Sequence, residues 1–185
     1  AAAKGQARVS ISSAEYGPHR MASLRTKAQL DGGRLDATIT ARLNDGDWSI
    51  AATARPFDDV RTAEITEGQF RNVDLGPFLQ DTTQSSNLNG RFRGRVEGTT
   101  LSRMQLTAGL TLSASRINRQ DVTGGNLDAT LRDGQLQSRV ALNTPEGRVD
   151  LRVSARPFDD TPQYRIADGS FENLNVGALA QVPGL

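Results

Sequence analysis

The sequence predicts an all-β protein, a long and twisted antiparallel sheet made of tandem repeats. Three observations predict it: apolar and polar residues alternate with a period of two, turn-forming residues recur at short intervals, and one half of the chain repeats the other. Alternation of this kind is typical of strands that bury one face. We find no convincing stretch with helical spacing.

The internal repeat has an offset of 101 residues and needs no gap. Residues 1–84 align with residues 102–185, and 19 of the 84 residue pairs are identical. The densest match sets Ala54–Asp59 against Ala155–Asp160, both reading Ala-Arg-Pro-Phe-Asp-Asp. Repeated units that stack usually share one core. The sequence therefore predicts residues 1–101 as the first copy and residues 102–185 as a second, truncated copy in one continuous sheet.

The strands of the first copy are predicted on both sides of the turn Asn44–Asp47, which has the Asp-Gly composition of a hairpin. The apolar positions around this turn include Leu35, Ala37, Ile39, Ala41, Ile50 and Ala52. Further along, Arg91, Arg93 and Arg95 alternate with glycine and apolar residues. We expect these arginines on a solvated outer face, with contact to lipid headgroups as the functional alternative.

The second copy shows the same alternation. Its apolar positions are Leu106, Ala108, Leu110 and Leu112, then Leu136, Val140 and Leu142, and, beyond the turn Thr144–Gly147, Val149, Leu151 and Val153. One helical turn is predicted in each copy, at Leu75–Leu79 and Val176–Leu179, because proline is favourable at the start of the first. We expect 12 to 15 antiparallel strands over the whole chain.

The apolar face of so many strands has to be covered. From the residues alone, the sheet could close as a barrel, pack as a sandwich with a dry core, or fold lengthwise into a trough. The repeated Arg-Pro-Phe-Asp-Asp segment is interpreted as structural: proline ends a strand, phenylalanine turns inward, and the aspartates cap a turn.

Composition argues against several classes of function. The 22 Lys and Arg residues balance the 21 Asp and Glu residues, so we expect no nucleic-acid partner. With no cysteine and a single histidine, His19, the sequence predicts no catalytic residue, no metal site and no cofactor. The chain begins with Ala1 and has no apolar run near the ~18 residues of a membrane helix. We therefore expect a fragment of a longer protein.

Three segments carry a resemblance to a known family. Leu88–Leu101 has the order leucine, spacer, glycine, alternating strand, glycine, small residues, leucine, and residues 119–136 have a strand–turn–strand pattern. The third segment, Gly169–Leu179, follows the repeated Arg-Pro-Phe-Asp-Asp and one short strand. Together they resemble the AsmA-like proteins, which include the TamB group.

The resemblance implies a sheet folded along its length around a hydrophobic groove, called a β-taco. It also implies a periplasmic protein of a diderm bacterium, anchored to the inner membrane by a segment outside this chain. The implied role is non-enzymatic: phospholipid transport between the inner and outer membranes and support of outer-membrane biogenesis. The implied partners are phospholipid acyl chains, an outer-membrane assembly protein, and further copies of the repeat in the same chain.

The sixteen apolar residues named above, from Leu35 to Val153, are thus the predicted lining of a lipid groove. Their side chains are mostly Leu, Ile, Val and Ala, and aromatic residues make up 5% of the chain. One alternative is a structural or adhesive repeat with a dry core and no lipid. An outer-membrane barrel segment is a weaker alternative, because such barrels carry aromatic girdles.

Overall fold

The computed structural model describes residues 4–17, 19–79, 85–98, 104–118, 120–159 and 161–173. Within these ranges the chain forms fourteen strands and one short helix. They are β1 Lys4–Ile11, β2 Ala14–Tyr16, β3 His19–Asp31, β4 Arg34–Leu43, β5 Gly46–Arg55, β6 Thr62–Val73, α1 Gly76–Leu79, β7 Ser86–Glu97, β8 Gln105–Leu112, β9 Ser115–Ile117, β10 Gln120–Val122, β11 Gly124–Arg132, β12 Gln135–Asn143, β13 Arg148–Arg156 and β14 Gln163–Glu172.

One large open antiparallel sheet contains all the strands. Its order is β1-β3-β4-β5-β6-β7-β8-β11-β12-β13-β14, and the short strands β2, β9 and β10 pair at its margin. Every strand pair is antiparallel, and nearly every long strand lies beside its neighbour in sequence. The predicted all-β class, the number of strands and their antiparallel arrangement are confirmed.

Tight turns join the long strands. Asn44 and Asp45 have φ angles of 48° and 63°, so they are the two loop residues of a hairpin whose flanking pair is Leu43 and Gly46. Positive φ at both loop positions gives the turn that matches the right-handed twist of the strands. The predicted hairpin is therefore present, but Gly46 already belongs to β5 rather than to the loop.

Local features recur along the chain at an interval of 101 residues. The pair Ile11–Leu24 between β1 and β3 corresponds to Leu112–Gly125 between β8 and β11. The pairing of β5 with β6 shifts register between Ala51 and Ala52, and that of β13 with β14 shifts between Arg152 and Val153. Positive φ angles recur at equivalent positions: in turns at Gly32 and Asp133, Gly33 and Gly134, and Gly17 and Asn118, and near the ends of β6 and β14 at Asn72 and Asn173.

No second layer of structure packs broadly on the sheet within the described residues. Extensive contacts join only strands that are hydrogen-bonded neighbours. The accessible surface is 12748 Å² for a chain of 19.9 kDa, whereas a compact monomer of this mass exposes about 8,700 Å². The chain thus leaves much more surface accessible than a globular domain of its size.

A small core covers one end of the strands on the apolar side. Phe70, Val73 and Leu88 are buried there, with Leu75 and Ile117 packed against them. The helix α1 follows directly, so the helical turn predicted in the first copy is confirmed. The corresponding prediction at Val176–Leu179 lies outside the described residues.

The repeated Arg-Pro-Phe-Asp-Asp segment is a turn, as predicted, because β5 ends at Arg55 and β13 at Arg156, directly before the prolines. In each copy the arginine pairs with an aspartate three residues later. The prediction that the phenylalanines turn inward is wrong: Phe57 is 71% exposed and Phe158 is 50% exposed. In both copies the phenylalanine follows the end of a strand, outside the paired part of the sheet.

Candidate functional site

All sixteen residues predicted to line a groove lie on one face of the sheet, which we call the apolar face. Residues directly opposite each other in an antiparallel pair point to the same side, so the register places side chains in rows across the strands. Four such rows hold the sixteen: Leu35, Leu106 and Leu136; Ala37, Ala52, Ala108 and Val153; Ile39, Ile50, Leu110, Val140 and Leu151; and Ala41, Leu112, Leu142 and Val149.

These residues are covered only in part. Fifteen of the sixteen are half-buried, and only Val149, at 7% exposure, is buried. Among the described residues, no side chain is less than 2% exposed. In a closed core, most Leu, Ile and Val side chains lose nearly all contact with solvent. The apolar face therefore retains an accessible surface along its length.

One of the four rows is built largely from small side chains. This small-residue row crosses eleven strands through Ala7, Ala28, Ala37, Ala52, Ile65, Gly94, Ala108, Ala129, Ser138, Val153 and Ile166. Leucine and valine flank it on one side, at Val96, Leu106, Leu131 and Leu136, and larger side chains flank it on the other, at Ile50, Phe92, Leu110, Leu127 and Val140. From β7 to β12, where its members are Gly94, Ala108, Ala129 and Ser138, the row is thus a shallow channel between two ridges of larger side chains.

The middle of the small-residue row is an apolar depression of about 360 Å³. Ala52, Gly94 and Ala108 are part of its lining, which is almost wholly apolar. Pockets for small molecules in proteins hold about 300–1,000 Å³ and are likewise mostly apolar. By contrast, the depressions on the opposite face are lined by residues such as Arg34, Asp36, Arg93 and Asp128.

The depression includes residues that the sequence-based prediction left out. Ile65, Phe92, Val96 and Leu127 are part of its lining. Strand β7 does alternate in sequence, but glycines take several of its inward positions. The glycines interrupt the apolar series that marks a lining strand, and the alternation in β7 was the signal that could have found Phe92 and Val96.

Aromatic rings pack over glycines beside the depression. The rings of Trp48, Phe70 and Phe92 have centroids 5.6 to 6.4 Å apart. A Cβ atom on Gly68 would lie 2.6 Å from the ring of Phe92, and a Cβ on Gly90 would lie 2.7 Å from the ring of Phe70. The two glycines therefore make room for rings that belong to the neighbouring strand.

The opposite face is polar. Arg91, Arg93 and Arg95 are exposed there, as predicted, and Arg95 makes ion pairs of 3.3 Å with Glu64 and 3.2 Å with Glu97. These exposed ion pairs contribute little to stability. Because their side chains are charged, they keep this face of the sheet hydrated. The apolar surface of the molecule is therefore on the opposite face.

In one ion pair on the polar face, the pKa values of both side chains are shifted. The Nε and Nη2 atoms of Arg139 donate hydrogen bonds of 3.0 and 2.6 Å to the two carboxylate oxygens of Asp150. This bidentate hydrogen bond lowers the pKa of Asp150 and raises the pKa of Arg139 from their usual values. The pair joins β12 to β13 on the face away from the depression.

The described part of the chain contains no group of three or more His, Asp or Glu side chains placed to hold a metal ion. His19 lies at the end of the sheet, where its Nδ1 atom is 3.2 Å from Nδ2 of Asn44 and its ring stacks near Phe78. None of the helices in the described ranges has the length and apolar character needed to span a bilayer.

Comparison of the chain with known protein families, with curated proteins and with solved structures found no match in any of the three.

Proposed function

We propose that the apolar face is part of the wall of a groove that holds phospholipid acyl chains. The observation that carries the proposal is the small-residue row, whose apolar depression lies between two ridges of larger side chains. A saturated hydrocarbon chain needs a continuous apolar surface and no specific polar contact. Each methylene group it buries is worth about 0.8 kcal/mol.

We further propose that the sheet folds lengthwise into a trough made of tandem copies. The features that recur every 101 residues support this, since equivalent turns and register shifts would bend each copy in the same way. Eleven strands at a spacing of about 4.8 Å extend roughly 48 Å across the sheet. Repeated copies would lengthen the groove enough to cross a compartment.

The proposed role is non-enzymatic phospholipid transport between the inner and outer membranes of a diderm bacterium, in support of outer-membrane biogenesis. This compartment, and an outer-membrane assembly protein as a partner, follow from the sequence resemblance described above. The open apolar face agrees with such a role, because a conduit has to admit and release its cargo along its length.

A first experiment asks whether the chain carries lipid. The protein is produced in a diderm bacterium and purified without detergent. It is then extracted with organic solvent, and the extract is examined by mass spectrometry. We expect copurified phospholipid in a fixed molar ratio to protein. A folded protein that carries no lipid would favour the structural repeat without a ligand.

Two matched variants locate the lipid. Ala108→Phe places a ring in the small-residue row, whereas Thr107→Phe places the same ring on the polar face one residue away. We expect Ala108→Phe to remove most of the copurified phospholipid and Thr107→Phe to retain it. Equal retention by the two folded variants would contradict a site at this depression.

Trp48 offers a second measurement, because it is the only tryptophan of the chain. Its ring is 6.4 Å from that of Phe92, which lines the depression. We expect phospholipid with brominated acyl chains to quench Trp48 fluorescence in the unaltered protein and in Thr107→Phe. Ala108→Phe should show little quenching at the same lipid concentration.

A further inference from the structure

The outer edge of β14 has no partner strand among the described residues, and it carries exposed large apolar side chains on the apolar face. All ten residues of β14 are exposed. Tyr164, Ile166 and Phe171, which point to the apolar face, are 72%, 67% and 58% exposed. Edge strands of natural proteins are normally protected by charged residues or by short length. A ten-residue edge strand with exposed apolar side chains along one face is a surface where another strand can bind.

Strand β6 shows which kind of strand fits this edge. Ile65, Gly68 and Phe70 of β6 precede Ile166, Gly169 and Phe171 of β14 by 101 residues, and both strands carry the same register shift against their inner neighbour. The outer edge of β6, however, is covered by β7. Phe70 is 6% exposed, whereas Phe171 is 58% exposed.

The fit between β6 and β7 is specific. Phe70 of β6 lies opposite Gly90 of β7, and Gly68 of β6 lies opposite Phe92 of β7. Each ring occupies the space over the opposing glycine, where a Cβ atom would lie within 2.7 Å of the ring. On β14, Phe171 and Gly169 repeat one side of this arrangement, and none of the described strands provides the other.

We propose that the free edge of β14 binds an extended polypeptide segment with the pattern of β7, as an added antiparallel strand. The segment places glycine opposite Phe171, an aromatic residue opposite Gly169 and a small residue opposite Ile166. The proposal goes beyond the lipid groove and does not depend on it.

Charge defines the partner further. In the pairing of β6 with β7, Glu64 lies opposite Arg95 and forms an ion pair of 3.3 Å. The equivalent of Glu64 in β14 is Arg165, so an arginine at the position of Arg95 would face a like charge. The segment that binds β14 therefore carries an acidic residue at this position.

The described strands of a second copy of this chain do not supply such a strand. Its β7 already pairs on both sides, with β6 and β8. Its other edge strand, β1, is equivalent in sequence and register to β8, which pairs with β7 and not with β6. The occupant is therefore a segment of β7 character other than the described strands of this chain.

Labelled peptides test the proposal on the whole chain. One peptide has the sequence of Ser85–Gly98, a second carries Arg95→Glu, and a third carries both Arg95→Glu and Gly90→Val. Fluorescence anisotropy measures their binding. We expect the second peptide to bind up to about fivefold more tightly than the first. The third should bind at least about tenfold more weakly than the second, because the valine occupies the space that Phe171 needs.

Variants of the protein locate the binding edge. Phe171→Ala should weaken binding of the Arg95→Glu peptide, while Val9→Ala, on the opposite edge strand β1, should leave it unchanged. Amide hydrogen exchange should show new protection in β14 and none in β1. These measurements do not require lipid.

Three results would overturn the proposal. The first is the absence of binding at about 1 mM peptide. The second is binding that neither Gly90→Val in the peptide nor Phe171→Ala in the protein weakens. The third is a dimer, detected by sedimentation without peptide, in which β14 is already protected from exchange.

Discussion

Individual glycines determine how the rings of the apolar face pack. Gly68 and Gly90 have φ values that other residues also adopt, so their role is to provide space rather than conformational freedom. Each leaves room for a phenylalanine of the neighbouring strand. The apolar depression beside them keeps its shape only if the rings of Phe70 and Phe92 stay in place.

The first prediction concerns Gly90. We expect Gly90→Val to lower the free energy of unfolding by about 1–3 kcal/mol, since the added atoms collide with Phe70 and the Thr111 carbonyl group. Gly5→Ala is the control, because a Cβ atom at Gly5 meets no other atom within 4 Å. Urea unfolding followed by circular dichroism measures both. Equal stability of the two variants would contradict the close packing at Gly90.

The second prediction concerns pH and the pair of Arg139 and Asp150. The pKa of Asp150 is lower in the folded chain than in the unfolded one. Its contribution to stability is therefore fully present above the unfolded value, near 3.9, and is lost as the pH falls through the folded value. We expect the stability difference between the unaltered protein and Asp150→Asn to shrink as the pH falls through this range. A difference that does not change with pH would contradict the role of the ion pair.

At the scale of the elements, Asp74 stabilises the connection between β6 and β7 by joining the residues at its two ends. Its Oδ1 atom accepts hydrogen bonds from the backbone nitrogens of Gly76, at 3.1 Å, and Ser86, at 2.9 Å. The Oγ atom of Ser86 in turn accepts a hydrogen bond of 2.7 Å from the nitrogen of Leu75. This network fixes the start of α1 above the small core at the end of the strands.

The third prediction tests that network. We expect Asp74→Ala to destabilise the protein by about 1–2 kcal/mol, because two backbone donors lose their acceptor. Asp74→Asn keeps an acceptor oxygen and should retain most of the stability. Thermal unfolding followed by Trp48 fluorescence compares the two variants. If Asp74→Asn lowers the stability as much as Asp74→Ala does, the hydrogen-bond network does not stabilise this connection.

The alternation of side chains predicted the strands and the face on which each residue lies. That success has a local cause, because the strand period of two and the turn at Asn44–Asp45 depend only on neighbouring residues. The register shifts near Ala51 and Arg152 were not predicted. An added residue in one strand can be recognised only when that strand is compared with the strand that pairs with it. The exposure of Phe57 likewise depends on where the sheet ends in space.

For the whole molecule, the sequence left open what covers the apolar face. The sheet is open, and the chain exposes about half as much surface again as a compact protein of its mass. Whether a sheet closes depends on twist and bend summed over many strands, which no short pattern of residues contains. The half-buried state of residues such as Ile39 and Leu110 leaves the apolar face accessible, which supports the proposed lipid groove.

The most direct test is photocrosslinking in living cells of a diderm bacterium. A photoreactive residue is placed at Ile39 or Leu110 on the apolar face, and at Thr40 or Thr107 on the polar face as matched controls. We predict phospholipid adducts, identified by mass spectrometry, at Ile39 and Leu110 and none at the two threonines. Equal crosslinking on both faces, or none at Ile39 and Leu110, would contradict a lipid-binding apolar face.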